Sequence, residues 1–184
     1  MIQIKNAAEL EKMRRACAIS AAALKAGGEA IEPGISTAEI DKIIYDFIVR
    51  HGARPNFLHL YGFPATACIS VNDTVIHGIP SRSQKIRPGD IVSIDTGCKV
   101  DGFNGDNACT FACGKVDKEA QRLLDVTRES LHRGIAAAQA GARIGDIGHA
   151  VQSYVEENGF SVVRAFVGHG VGKELHEDPE VPNY

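Results

Sequence analysis

Two stretches of the chain resemble each other closely enough to suggest two related halves. The stretch PGISTAEIDKIIYDFIVRHG at 33–52 aligns with AGARIGDIGHAVQSYVEENG at 140–159, at a single offset of 107 residues. The alignment pairs glycines near both ends and apolar residues between them. Two amphipathic helices can look alike without a duplication, because both repeat apolar residues at helical spacing. The shared glycines and the single offset favour a duplication, and the second half then ends before its counterpart of residues 91–111.

Apolar periodicity and capping residues predict the elements of both halves. In the first half, a helix begins after Asn6 and continues to about Ile31, and a second, capped by Ser36 or Thr37, ends at Gly52. A strand at 66–71 and a short apolar run ending at His77 follow. In the second half, helices at 117–141 and 142–159 precede a strand, FSVVRAFV, at 160–167.

Composition indicates an ordinary globular domain of 184 residues, with 44% hydrophobic and 23% charged residues. A net charge of -3 gives no reason to expect nucleic-acid binding. No apolar run approaches the roughly 20 residues that a membrane helix needs. The N-terminus lacks the apolar core of a signal peptide. The five cysteines form no C-x-x-C pair and are expected to be reduced, small and buried; a zinc site at Cys98, Cys109 and Cys113 would lack four-ligand spacing.

The segment IVSIDTGCKVDGFNGDNACTF at 91–111 predicts a β-hairpin that carries two aspartates. Asp101-Gly102 is a strong signal for a two-residue turn between strands. Such a turn sets Asp95 opposite Ala108 and makes Asp106 a diagonal neighbour of Asp95 on the same face. Three explanations of the carboxylate pair remain open: a shared proton, a solvated sheet edge, or a bound metal ion.

Three histidines accompany glycines or strand ends and are candidate ligands or catalytic groups. His169 lies in GHGVG, directly after the predicted strand, and His176 follows seven residues later. His77 stands at the end of an apolar run and precedes Gly and Pro. Aspartate and histidine together suit a divalent ion such as Mn, Fe, Co or Zn.

An ordered set of motifs resembles type I methionine aminopeptidase over the whole chain. The motifs are YGFPATACISVN at 61–72, HGIP at 77–80, GDIVSIDTG at 89–97, DGFNGD at 101–106, GHGVG at 168–172 and HEDP at 176–179. The resemblance implies an α+β pita-bread fold, the creatinase/aminopeptidase fold, with two pseudo-symmetric halves. It also implies that residues 1–184 form one catalytic domain whose C-terminal part is missing.

The resemblance also implies roles for individual residues. The metal ligands would be Asp95, Asp106 and His169, which would help to hold two divalent ions (Co, Mn, Fe or Zn). His77 and His176 would bind substrate and stabilise the tetrahedral intermediate. Phe63, Cys68 and Leu175 would line the pocket for the methionine side chain.

The implied reaction is metal-dependent removal of the N-terminal methionine from nascent proteins in the cytoplasm. The expected protein is a monomer that associates transiently with the ribosome and binds neither nucleic acid nor membrane. The family uses two further glutamate ligands, which Glu174, Glu177 and Glu180 do not match. The chain is therefore expected to be a fragment of weak or no activity.

Two other functions remain open at this stage. One is a relative with the same fold, either a proline-specific aminopeptidase or a creatinase-like protein. The other is a non-catalytic binding protein that has kept the fold and lost its metals.

Overall fold

The computed structural model describes residues 1–184, which divide into two compact units. The N-terminal unit contains Gln3–Val116 and Val171–Leu175. The C-terminal unit contains Asp117–Gly170 and His176–Tyr184, together with Met1–Ile2. None of the helices is long and apolar enough to cross a membrane.

The two helices of the N-terminal unit begin at capping boxes. Helix α1 spans Ala7–Glu29, and helix α2 spans Thr37–Arg50. Asn6 caps α1 and Ser36 caps α2, each exchanging side-chain and backbone hydrogen bonds with a glutamate three residues later. These exchanges satisfy amide groups that the first helical turn leaves without partners. Both predicted starts are confirmed, and α1 ends two residues before its predicted end.

The sheet of the N-terminal unit has β3 at its centre. Its strands are β1, Arg54–Pro55; β2, Ala67–Val71; β3, Ile91–Val100; and β4, Phe103–Ala112. Strands β1 and β2 pair with one edge of β3, and β4 pairs antiparallel with the other along its full length. The predicted hairpin is confirmed, since Val100 pairs with Phe103 across a turn formed by Asp101 and Gly102, whose φ angles are 52° and 83°.

Helices α1 and α2 pack against this sheet around an apolar core. The isoleucines of α2 at positions 40, 44 and 48 are fully buried, as are Val92 and Ile94 of β3. Full burial of one such side chain contributes about 1.5–3 kcal/mol relative to its exposure. The apolar spacing that identified α2 in the sequence is therefore the spacing of its core contacts.

The C-terminal unit has two helices and a small two-stranded sheet. Helix α3 spans Lys118–Ala137, α4 spans Ile144–Glu157, β5 spans Gly168–Gly170 and β6 spans Glu177–Val181. The strand predicted at 160–167 is wrong, because Phe160 and Val162 pack against Val126 and the valines of α4, and the strand begins only at Gly168. The apolar run that ends at His77 forms no strand, since residues 74–77 are irregular and His77 has a φ of 56°.

The internal alignment extends to the helix contacts of both units. A Cβ added to Gly27 would come within 2.7 Å of Ile44, and one added to Gly134 within 2.9 Å of Val151. Both pairs are related by the offset of 107 residues found in the sequence. Both helix pairs thus make a tight contact at equivalent glycines. The second helix also ends equivalently, with φ values of 71° at Gly52 and 77° at Gly159.

Candidate metal centre

The predicted relation between the two aspartates is confirmed by the strand register. Asp95 of β3 lies opposite Ala108 of β4, and Asp106 of β4 lies opposite Gly97 of β3. The same face carries a hydrogen bond of 2.8 Å between the hydroxyl oxygens of Ser93 and Thr110. Small or hydroxyl side chains therefore surround the carboxylates on this face of the sheet.

The electrostatics of the pair distinguish between the explanations left open by the sequence. Asp95 is on the central strand, so the solvated-edge explanation is wrong for this residue. Burial, followed by the charge of Asp106 and a hydrogen bond between the two carboxyl groups, raises the pKa of Asp95 to about 7. Two carboxylates this close cannot both be charged without compensation, so they share a proton or bind a cation.

Cys68, on β2, lies beside the carboxylates. It is the register partner of Asp95 across the β2–β3 ladder, which puts both side chains on one face of the sheet. Burial, followed by the charges of Asp95 and Asp106, raises the pKa of the Cys68 thiol to about 12. The side chain is therefore a neutral, soft wall near the aspartates and not a thiolate.

The segment after β2 holds His77 by backbone contacts that require glycine. The Gly78 amide donates to the Ser70 hydroxyl at 3.0 Å, and the Gly78 carbonyl accepts from the Ile69 amide at 2.8 Å. A Cβ on Gly78 would come within 2.2 Å of the Ile69 carbonyl oxygen. This close approach places the exposed His77 alongside β2.

In the C-terminal unit, His169 and His176 contact each other. Their ring centroids are 4.4 Å apart at an interplanar angle of 63°. The Nδ1 atom of His169 lies 2.9 Å from the Gly170 carbonyl oxygen, so Nδ1 carries the proton that is donated there. That tautomer puts the lone pair on Nε2, an arrangement typical of metal-binding histidines.

Glycine is required between these histidines as well. Strand β5 pairs with β6 and shifts register between His169 and Gly170. A Cβ on Gly170 would come within 2.5 Å of the Asp178 carbonyl oxygen. Gly168 and Gly170 of GHGVG therefore permit close packing of two short strands.

Two of the residues predicted for the substrate pocket are half-buried. Phe63 closes a tight turn, in which its amide donates to the Leu60 carbonyl at 2.9 Å and its carbonyl accepts from the His59 amide at 2.8 Å. Leu175 lies in the segment 171–175 of the N-terminal unit. Their assignment to a pocket stays a prediction.

The sequence reasoning did not identify Asn104 as a supporting residue. Asn104 is 2% exposed, and its Nδ2 donates to the carbonyl oxygens of Gly172 and Lys173 at 2.8 and 2.9 Å. The side chain thereby fixes residues 171–175, which lead into His176. Its position two residues before Asp106 in DGFNGD is the only signal that the sequence offers for this role.

The donor chemistry of each unit fits a divalent metal. A half-buried carboxylate pair that retains a proton at neutral pH can exchange that proton for a cation. In residues 1–184, no three His, Cys, Asp or Glu side chains converge as a ready metal-binding cluster. The oxygen pair belongs to the N-terminal unit, and the oriented histidine belongs to the C-terminal unit.

The cysteines only partly match the expectation that all are buried. All five are free thiols; Cys68, Cys98 and Cys113 are buried, whereas Cys17 and Cys109 are exposed. The exposed pair corrects the prediction. Cys109 lies on the edge strand β4, and Cys17 lies on α1, where burial and then the charge of Asp106 raise the pKa of its thiol.

Three comparisons with known proteins indicate the same family. Residues 11–184 match the metallopeptidase family M24. The methionine aminopeptidase of Clostridium perfringens is 51% identical over 184 residues, covering the whole chain and 74% of that protein. The crystal structure of methionine aminopeptidase from Thermotoga maritima matches with a TM-score of 0.98 and 40% identity, covering all of this chain and 74% of that one.

A proline-specific relative is more distant. The prolidase from Pyrococcus furiosus matches with a TM-score of 0.86 and 25% identity, covering 98% of this chain and 52% of that chain. Both the identity and the coverage are lower than those of the methionine aminopeptidases, so the chain is less similar to the proline-specific alternative.

Proposed function

Because the chain belongs to the metallopeptidase family M24, with the methionine aminopeptidases as relatives and the pita-bread fold in common, we propose that it removes N-terminal methionine from nascent polypeptides. The observation that carries the proposal is the similarity to methionine aminopeptidases over the whole of this chain and 74% of the relatives. The paired aspartates of β3 and β4 support it, because they suit the metal chemistry of such an enzyme.

The metal would be held by Asp95, Asp106 and His169. The raised pKa of Asp95 beside Asp106 and the Nδ1–H tautomer of His169 support this assignment. The set of oxygen and nitrogen donors suits Co, Mn, Fe or Zn, and we propose two ions. Bound divalent ions supply a hydroxide at neutral pH and polarise the scissile carbonyl.

His77 and His176 are proposed to act on the substrate. An imidazole N–H can donate to the oxygen on which charge develops during attack at the carbonyl. The glycine contacts beside His77 and the ring contact between His176 and His169 would restrain both side chains before substrate binds. Such preorganisation is what makes a donor effective in the transition state.

The methionine side chain is proposed to bind among Phe63, Cys68 and Leu175. A neutral thiol provides soft, polarisable contact for a thioether, and the raised pKa of Cys68 keeps it in that form. Since initiator methionine is exposed during synthesis, we place the reaction in the cytoplasm, with transient ribosome association and a monomeric protein.

Metal titration with a tripeptide assay tests the proposal. Calorimetric titration with Co²⁺ should show weak binding by wild type, because this chain offers only three protein donors of the proposed set. Ion-dependent release of methionine from Met-Ala-Ser should be slow but measurable. D106N should abolish both signals, whereas D73N, which changes an exposed aspartate in a turn, should preserve both.

Other results would change the conclusion in defined ways. Failure to bind any ion, together with failure to release methionine, would favour the non-catalytic binding function. Tight binding of two ions with rapid turnover would contradict the expected weakness of this chain. Equal activity of D106N and wild type would remove Asp106 from the site.

A further inference from the structure

The face of the sheet that carries the paired aspartates continues past them to two cations. Arg54 of β1 lies directly opposite Lys99 of β3. Residues two apart on a strand share a face, and so do register partners on neighbouring strands. Lys99 is therefore on the face of Asp95, about 13 Å further along β3. Arg54 lies beside it on the same face.

The pairing of Arg54 with Lys99 is unfavourable without an anion. Like charges directly opposite each other in an antiparallel pair repel and destabilise the sheet. The Arg54 guanidinium is exposed and forms no ion pair within residues 1–184. The Lys99 ammonium donates to the Lys173 carbonyl oxygen at 2.5 Å, which provides a hydrogen bond but no negative charge. The carboxylate of Asp106 is only diagonal to Lys99, on the side of β3 away from Arg54.

Asn56 adds an unpartnered donor to the same face. Its backbone amide donates to the Gly97 carbonyl oxygen at 3.0 Å, which continues the register of β1 and β3 by two residues. The Asn56 side chain therefore shares the face of Arg54. A Cβ on Gly97 would come within 3.2 Å of Nδ2 of Asn56, so the amide group lies over this glycine. That Nδ2 atom is buried and has no hydrogen-bond partner.

These three side chains supply hydrogen-bond donors and positive charge, and what they lack is an acceptor. A buried amide donor without a partner costs free energy that a bound acceptor would recover. An oxyanion supplies several acceptor oxygens together with the negative charge that the two cations need. The planar fork of a guanidinium matches two oxygens of a carboxylate or a phosphate.

We propose that Arg54, Asn56 and Lys99 form a binding site for an oxyanion, which is either a phosphate group or the carboxylate of an acidic side chain. The Arg54 guanidinium binds two of its oxygens, Nδ2 of Asn56 donates to an oxygen, and the Lys99 ammonium balances the charge. The site includes none of the proposed metal ligands. It therefore goes beyond the proposed function and does not depend on it.

NMR of the metal-free, ¹⁵N-labelled protein during titration with inorganic phosphate tests the inference at the unpartnered amide. The side-chain amide signals of Asn56, identified by their loss in N56D, should shift as phosphate is added. Those of Asn158 should not shift, because its Nδ2 already donates to the Tyr154 carbonyl oxygen at 2.8 Å. Calorimetry then gives the affinity of each variant.

Two variants with a matched control assign the binding to these residues. R54Q should weaken phosphate binding by about tenfold or more, since it removes a charge-assisted pair of hydrogen bonds. R82Q removes the same charge from another exposed arginine and should bind phosphate as wild type does. N56D should not bind phosphate, because its carboxylate takes the place of the anion. Circular dichroism should show the same fold for all of them.

Thermal melts provide a second readout. Phosphate should raise the melting temperature of wild type, because a ligand that binds the folded state stabilises it. In phosphate-free buffer, N56D should melt above wild type, since its carboxylate relieves the repulsion between Arg54 and Lys99. Added phosphate should then have no further effect on N56D.

A second ligand identifies the source of the oxyanion. N-acetylglutamate amide carries a single charge, on its side-chain carboxylate. If it binds more tightly than phosphate, the site recognises acidic side chains of a polypeptide. If phosphate binds more tightly, the site recognises phosphate groups. Both results support an oxyanion site.

Three results would overturn the inference. The first is that neither ligand shifts the Asn56 side-chain signals. The second is equal weakening by R54Q and R82Q, which would indicate general charge screening. The third is phosphate binding by N56D as tight as that by wild type. Because the protein is metal-free and no hydrolysis is measured, these results are separable from failure of the proposed function.

Discussion

Asn104 donates two hydrogen bonds to the carbonyl oxygen of Gly172, one from its backbone amide and one from Nδ2, each at 2.8 Å. A third bond joins Nδ2 to the carbonyl oxygen of Lys173 at 2.9 Å. These contacts link β4 to a segment 68 residues further along the chain. Asn104 and Gly172 are both buried, so loss of the side chain would leave the Gly172 carbonyl oxygen with one donor fewer.

We expect N104A to lower the free energy of unfolding by about 1–3 kcal/mol, since it leaves buried carbonyl oxygens with fewer donors. Urea denaturation measures the change. The matched control is N107A on the same strand, because the Nδ2 of Asn107 has no hydrogen-bond partner. That variant should cost less than about 1 kcal/mol. Equal losses for the two variants would contradict the importance of the contacts to 172–173.

Asp41 fixes the start of β2 from helix α2. Its Oδ1 accepts hydrogen bonds from the amides of Thr66 and Ala67 at 2.9 and 2.8 Å. Burial raises the pKa of Asp41, and the two backbone hydrogen bonds act in the opposite direction. D41A should therefore cost about 2–3 kcal/mol, because it leaves two buried amides without an acceptor.

The control for D41A is a second aspartate on the same helix. Asp46 pairs with Lys42 at 2.7 Å, with both side chains largely exposed. Such a surface pair contributes about 0.5 kcal/mol or less, so D46A should hardly change the denaturation midpoint. D41N, which keeps one oxygen acceptor, should recover much of the loss. A D41A variant as stable as D46A would show that water replaces the carboxylate.

Local patterns were sufficient to predict the aspartate hairpin. A two-residue turn and alternation of side chains determine a strand register, so the pairing of Asp95 with Ala108 followed from residues 91–111 alone. The helices were predictable for the same reason, since their caps and apolar spacing are local. The equivalence of Gly27 and Gly134 extends the repeat that the sequence indicated.

Features that depend on distant partners were not predictable in this way. The stretch 160–167 is rich in residues that favour strands, yet its Phe160 and Val162 pack against the apolar core between α3 and α4. No local pattern distinguishes this packing from a strand. The partners of Asn104 lie 68 and 69 residues away, so its role has no local signal. Likewise, the raised pKa of Asp95 depends on burial that only the assembled sheet provides.

Acid should weaken the cap of α2 through Glu39. This carboxylate accepts hydrogen bonds from the Ser36 hydroxyl and amide at 2.5 and 2.8 Å and from Lys85 at 3.1 Å. The side-chain bond to Ser36, then the backbone bond and Lys85, lower the pKa of Glu39 to about 2. A lowered pKa stabilises the fold above the unfolded value near 4.5, and this stabilisation is lost as pH falls toward 2.

Thermal melts of wild type and E39Q between pH 7 and pH 2 measure this contribution. Wild type should melt higher than E39Q from pH 7 to about pH 5, and the difference should shrink toward pH 2. E32Q, which changes an exposed glutamate outside the helices, should follow the wild-type profile. A gap between wild type and E39Q that stays constant across the range would contradict the assigned role of Glu39.

The two equivalent glycines should respond differently to alanine. A Cβ at Gly27 would come within 2.7 and 2.8 Å of Cδ1 and Cγ1 of Ile44, which is fully buried and has little room to move. Overpacking of this kind costs about 1–3 kcal/mol, which exceeds the gain of about 1 kcal/mol in helix propensity. G27A should therefore lower the denaturation midpoint.

At Gly134, the gain in helix propensity should offset much more of the cost. The contact of the added Cβ with Cγ2 of Val151 is slightly longer, at 2.9 Å, and it lies in a core of only three buried residues, so a small shift of α3 against α4 disturbs little packing and G134A should be close to neutral. A double-mutant cycle tests the steric origin of the G27A effect. I44V removes the methyl group nearest to the new Cβ, so it should cost less in the G27A background than in wild type. Additive effects would mean that the contact between α1 and α2 relaxes without strain.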